Sequence, residues 1–296
     1  MTERLGWGER ILGGSLRGLA ALPWVFLVMM GTALGALAYA LAARPRHIAR
    51  VNVGLCFPEM SPAARERLVL RHFLAIGQNA CATLRLWWAS EDELCRRVRI
   101  VARGPYDEAL ANGRNVIFLA PHFLALEVGG LRVSSLGPCV SMYRAPASIL
   151  ERALLARRTQ YGATLWRHDA PLRSLIRSIR GHTPFYYLPD LDPGDAEAVP
   201  APFFGIPTPT LTALARIARL ADAVVLPCHT RKLPGVGGYE VEIRPPLAPF
   251  PTGDALADAT RMNAAIEEGV RQMPEQYLWT YKRFKRVHRG GRSLYD

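Results

Sequence analysis

His122 and Glu127 are the residues of this chain whose types and spacing best suit proton transfer; they lie in N-V-I-F-L-A-P-H-F-L-A-L-E-V-G-G, residues 115–130. A histidine can take a proton from a hydroxyl near neutral pH, and a carboxylate beside it fixes the tautomer and stabilises the imidazolium. Five residues along a regular helix turn through about 140°, so the two side chains would diverge if both were helical. They converge if the histidine sits in a turn and the glutamate in the first turns of the helix that follows. Spacing alone would equally describe a loop histidine with an unrelated, solvated glutamate, so the flanking elements have to decide.

Val116 to Ala120 is a short, continuous apolar run rich in strand formers, which reads as a strand buried on both faces and ended by Pro121. Leu124 to Gly130 has helical character. His122 therefore falls at the carboxyl end of a strand, where open α/β sheets place their sites. Short apolar strands are expected at 99–101, 140–143, 163–166, 185–188 and 224–227, separated by helical stretches including 104–111, 147–162 and 171–180. Residues 239–244 alternate like an exposed strand, 199–212 read as a proline-rich loop running into a helix over 211–221, and 255–273 as the final helix. The alternation predicts an α/β fold: a mixed, mostly parallel sheet flanked by helices.

Gly18 to Ala43 is 26 residues without a charge, long enough to cross a bilayer. Its length favours a retained anchor over a cleaved signal peptide. Arginines flank it on both sides, Arg4, Arg10 and Arg17 before and Arg44, Arg46 and Arg50 after, so orientation stays open. A hairpin broken at Pro23 and lying on the membrane is an alternative. The expected division is residues 1–45 as membrane anchor and 46–296 as catalytic domain, the latter including, after Asn52–Pro58, a long amphipathic helix N-capped by Ser61. The net charge of +12 implies an anionic partner, and the five cysteines are widely spaced with no metal-ligand pattern, so no metal or disulfide framework is expected. Stacking aromatics are too few among the tail's basic residues for nucleic acid to be the partner. That surface, Lys282, Arg283, Lys285, Arg286, Arg289 and Arg292, is expected to meet anionic headgroups or an acidic protein.

Seven blocks occur in one order: Asn52…Phe57-Pro58, His122-Phe123…Glu127, Tyr143-Arg144, an arginine-rich helix before Gly162, Pro189-Asp190, Pro202-Phe203-Phe204-Gly205, and Pro274-Glu275-Gln276-Tyr277…Trp279…Arg283-Phe284-Lys285. Together they resemble the bacterial lipid A biosynthesis (lauroyl/myristoyl) acyltransferases, a branch of the glycerolipid acyltransferase superfamily. Many members of that family have Gly-Asn-Trp where this chain has Leu124-Ala125-Leu126. The resemblance implies a glycerolipid-acyltransferase-like fold with an N-terminal membrane helix, at the cytoplasmic face of the cell inner membrane. It also implies transfer of a fatty acyl chain from an acyl-carrier-protein thioester to a hydroxyl of a lipid A precursor, with acyl-carrier protein as partner and no cofactor beyond that co-substrate. His122 would be the general base and Glu127 its orienting carboxylate; Arg157 best matches the family's arginine and would take the charge on the thioester oxygen. Arg144 is a candidate for an acceptor phosphate, and Asp190 would bind substrate or, preferably, cap the following turn. Two other readings stay open: acylation of lysophosphatidate or another membrane glycolipid, and a non-enzymatic, membrane-tethered binding protein.

Overall fold

The computed structural model describes residues 7–143, 155, 157–192, 194, 197–289 and 292–295. A seven-stranded sheet forms the centre. Its strands are β1 (Val98–Val101), β2 (Asn115–Leu119), β3 (Cys139–Tyr143), β4 (Ala163–Arg167), β5 (Phe185–Tyr187), β8 (Ala223–Lys232) and β9 (Tyr239–Ile243), in spatial order β1-β9-β8-β2-β5-β3-β4. Every neighbouring pair is parallel except β8 with β9. The mixed, mostly parallel α/β sheet expected from the alternation is therefore present.

β2 shows why its sequence is apolar throughout. Val116 and Phe118 enter one buried cluster and Ile117 and Leu119 another, on opposite faces of the sheet. The first face is covered by helices that include α5 (Glu91–Arg97), α6 (Gly104–Ala111) and α7 (Leu126–Ser134). The second is covered by α3 (Ala43–Cys56), α4 (Pro62–Leu86), α8 (Leu172–Arg180), α9 (Ala213–Ala221) and α10 (Ala255–Gln272). Ser61 caps α4 as its position predicts, its Oγ accepting from the Ala64 amide at 3.3 Å.

Two expectations need correction. The segment 199–212 is not a loop but a β-hairpin, β6 (Ala198–Phe203) and β7 (Ile206–Leu211), closed by Phe204 and Gly205, both at positive φ. Pro200 stands opposite Pro209 and Pro202 opposite Pro207. In a hairpin with a two-residue turn these are the pairs that exchange no backbone hydrogen bonds, so the missing N–H groups cost the ladder nothing. Tyr239 to Ile243, read as an exposed strand, lies between β1 and β8 and is almost wholly buried.

The uncharged run takes in only the end of the last turn of α1 (Trp7–Ala20), which stops before Pro23, and the whole of α2 (Trp24–Leu41) beyond it. α2 packs on α4 through glycines: a Cβ at Gly77 would lie 2.0 Å from the Gly31 carbonyl oxygen and 2.6 Å from the Gly35 nitrogen. Gly31 and Gly35 thus serve an intramolecular seam. Gly77→Val is expected to force the helices apart at a cost of about 1–3 kcal/mol or more, read as a lowered midpoint of thermal unfolding in detergent.

Candidate active site

The site is built by one register. Leu119 of β2 pairs with Tyr187 of the parallel neighbour β5, and the Ala120 amide donates to the Tyr187 carbonyl at 2.8 Å. His122 and Asp190 each stand three residues beyond that rung, so the two strands deliver them side by side at their carboxyl ends. The His122 Nδ1–H donates to Asp190 Oδ1 at 2.6 Å, and the His122 backbone N–H donates to Oδ2 at 2.9 Å. The Tyr277 hydroxyl donates to Oδ2 as well, at 3.0 Å. Asp190 is fully buried, whereas the His122 side chain keeps 18% of its surface exposed.

Burial by itself would raise the Asp190 carboxyl; the His122 charge, the two hydrogen bonds from that residue and the Arg283 guanidinium outweigh it, so the group is held below the usual carboxylate range. Asp190 is therefore an anion at neutral pH. With Nδ1 carrying its proton towards Asp190, Nε2 is left as a lone-pair acceptor facing outward, which is what a general base for a hydroxyl requires. The second histidine nearby is unsuited to that work. His229 packs edge-on to Phe123 with ring centres 5.5 Å apart. Burial and then the Arg244 charge push its pKa down to about 3.

The carboxy-terminal segment braces this arrangement from outside the sheet. Phe123 forms an antiparallel bridge with Tyr277, the Leu278 amide donates to the His122 carbonyl at 3.1 Å, and the Leu124 amide donates to the Gln276 carbonyl at 2.8 Å. Two residues beyond Asp190, the Asp192 amide donates to the Tyr281 hydroxyl at 3.0 Å. The Asp192 carboxylate, 2% exposed, holds Lys285 at 3.1 Å and Arg286 at 3.3 Å. Hence the tail is not the uniform basic surface its sequence suggests. Arg283 is buried, its guanidinium 5.1 Å from the centre of the Phe203 ring, and Lys285 and Arg286 grip the loop that carries Asp190.

The partner foreseen for His122 also changes. Glu127 lies in the first turn of α7, but both its oxygens are taken by Arg158, Oε2 accepting from Nε at 2.9 Å and Oε1 from Nη2 at 2.7 Å. Asp190 neither caps a turn nor points outward to substrate; it is the residue bonded to the imidazole. Arg157 lies with its guanidinium 5.0 Å from the centre of the Trp88 ring. Arg144, and most of the helix expected over 147–162, fall outside the described residues. Tyr277 was visible only as a member of the tail block, with no spacing to connect it with residue 190.

A buried aspartate hydrogen-bonded to a histidine thus stands at the carboxyl edge of a mostly parallel sheet, where open α/β proteins carry their sites. The chain belongs to the bacterial lipid A biosynthesis acyltransferase family, whose model matches residues 6–286. It is 29% identical over 277 residues to the lipid A biosynthesis lauroyltransferase of Escherichia coli K12, covering 93% of this chain and 90% of that one. The lipid A biosynthesis palmitoleoyltransferase of the same organism matches to the same extent. Its lipid A biosynthesis myristoyltransferase is 28% identical over 281 residues, 94% of this chain and 87% of the other. The family makes the protein an O-acyltransferase of lipid A biosynthesis.

Proposed function

We propose that the protein carries out a late, secondary acylation: a fatty acyl chain passes from an acyl-carrier-protein thioester to a hydroxyl of a lipid A precursor at the cytoplasmic face of the inner membrane. The observation that carries the chemistry is the Nδ1–H of His122 held by the buried Asp190 carboxylate, which leaves Nε2 to act. His122 Nε2 removes the proton of the acceptor hydroxyl as its oxygen attacks the thioester carbonyl carbon. The carbonyl π electrons move to oxygen, then return as the C–S bond breaks, and the imidazolium returns the proton to the departing sulfur. The ester and a free carrier thiol are the products, and charge is balanced throughout. Asp190 stabilises the imidazolium between the two transfers.

The developing oxyanion needs a cation or a set of donors. Arg157 remains our candidate for it, and Arg144 for an acceptor phosphate. Glu127 keeps the Arg158 guanidinium, an invariably charged group, beside the turn that carries the base. Membrane attachment is supported by α2, 18 residues long and apolar enough to enter a bilayer, with only 28% of it buried against the protein.

Purified protein, acyl-carrier-protein thioesters of several chain lengths and a tetra-acylated lipid A precursor should yield a product heavier by one acyl group in the mass spectrum. Acyl gain on lysophosphatidate with none on the lipid A precursor would overturn the acceptor assignment. Equal transfer from a coenzyme A thioester would overturn the donor.

A further inference from the structure

α2 does not stand apart from the catalytic body; it runs antiparallel to α4 and is held at both ends and in the middle. At its start the Trp24 indole donates to the Val236 carbonyl at 3.1 Å, and just before it the Ala20 carbonyl accepts from Arg85 at 2.9 Å. Midway, Gln78 donates to the Thr32 hydroxyl at 2.8 Å beside the glycine seam. At its end the Tyr39 hydroxyl donates to the Glu66 carboxylate. A helix of 18 residues is about 27 Å long, close to the thickness of the hydrocarbon core. If α2 crossed the bilayer with these contacts intact, α4 would have to cross beside it.

α4 cannot do so. It carries Arg65, Glu66, Arg67, Arg71 and Arg85, and its Leu68, Val69 and Phe73 are part of the core beneath the sheet. The face of α2 turned away from α4 is nevertheless apolar and open: Val25, Phe26, Met29, Leu34, Leu37 and Leu41 are each 49–73% exposed. With one face fixed to α4 and the other a continuous apolar stripe, a helix lying in the plane of the membrane surface buries that stripe without parting from the body. Exposed arginines at either end, Arg17 and Arg44, suit anionic headgroups on one side of the membrane. The same placement removes the conflict in the sequence, where arginines flank the apolar run on both sides and give no orientation for a span.

Resting on the membrane attachment read above, we propose that α2 lies in the plane of the anionic cytoplasmic leaflet, its outer stripe among the acyl chains and both its ends on the catalytic side, without crossing the bilayer. The lipid acceptor then reaches the body from the leaflet on which α2 rests.

The test uses the full-length chain with Cys95→Ser, the remaining cysteines being buried, and a single added cysteine at the exposed Ala21 or Ala43. A membrane-impermeant maleimide is applied to spheroplasts of an expressing Gram-negative host and to inverted inner-membrane vesicles. Both positions should react in inverted vesicles and neither in spheroplasts; reaction of either from the outside overturns the proposal. In a second variant, Thr32→Cys with Gln78→Cys, oxidation of inverted vesicles should join α2 to α4 with more than half of the acyl-transfer activity retained. Absence of the crosslink means that α2 leaves α4 in the membrane, which also overturns it. Recovery of the full-length protein in the soluble fraction would remove membrane attachment itself, whereas membrane-bound protein with its α2 ends on opposite sides removes only the in-plane placement.

Discussion

His122→Ala is expected to lower turnover by about 10²–10⁴-fold, equivalent to about 3–5 kcal/mol in the barrier, while the protein remains folded and membrane-bound. The imidazole makes its structural hydrogen bond to one carboxylate oxygen only, and the backbone N–H of residue 122, which holds the other oxygen, survives the substitution. Folding should consequently depend on the side chain far less than catalysis does. Single-turnover acyl transfer, with product counted by mass, measures the loss, and thermal unfolding checks the fold. Residual turnover above about a tenth of the unsubstituted enzyme, less than the loss of a positioned base brings about, would mean that another group takes the proton.

What was legible in the sequence followed from local chemistry. The apolar run Val116–Ala120 ended by a proline, with a helix behind it, placed His122 at the carboxyl end of a buried strand, and the structure has β2 ending at Leu119 and α7 beginning at Leu126. Ser61-Pro62 gave the start of α4 for the same reason: capping and proline at the first turn are decided within three residues. The partner of His122 was not legible, because it depends on which strands are neighbours and in what register. Asp190 is 68 positions away in the chain and becomes adjacent only when Leu119 pairs with Tyr187. Glu127 was nearer in sequence and carried the same charge, so proximity favoured it. Prolines hid the hairpin β6–β7, since their rule against strands holds for hydrogen-bonded positions, and which positions those are is set by the turn at Phe204-Gly205. The run from Gly18 to Ala43 showed that a helix was apolar, but not that α4 would lie against it.

Asp190→Asn should be nearly as damaging as loss of the base, on the order of 10²–10⁴-fold in turnover. The reason lies in the donors around the carboxylate. Oδ2 accepts from the His122 backbone N–H and from the Tyr277 hydroxyl, so an asparagine must place its carbonyl oxygen there. Its NH2 group is then left at the Oδ1 position, facing Nδ1. A neutral imidazole can meet that donor only by carrying its proton on Nε2, the atom we propose accepts the substrate proton. The substitution thus blocks the base and also removes the charge that stabilises the imidazolium. Glu127→Gln differs in kind: it weakens a two-pronged ion pair with Arg158 but leaves the Asp190–His122 hydrogen bond in place. Its turnover should fall less, with a larger share of the effect in KM if Arg158 meets an anionic substrate. Comparing kcat and KM of the two variants decides which carboxylate serves the histidine. Should Asp190→Asn keep more than about a tenth of the original turnover while Glu127→Gln loses almost all of it, the imidazole must turn from Asp190 to Glu127 in the substrate complex, and the roles assigned here would be exchanged.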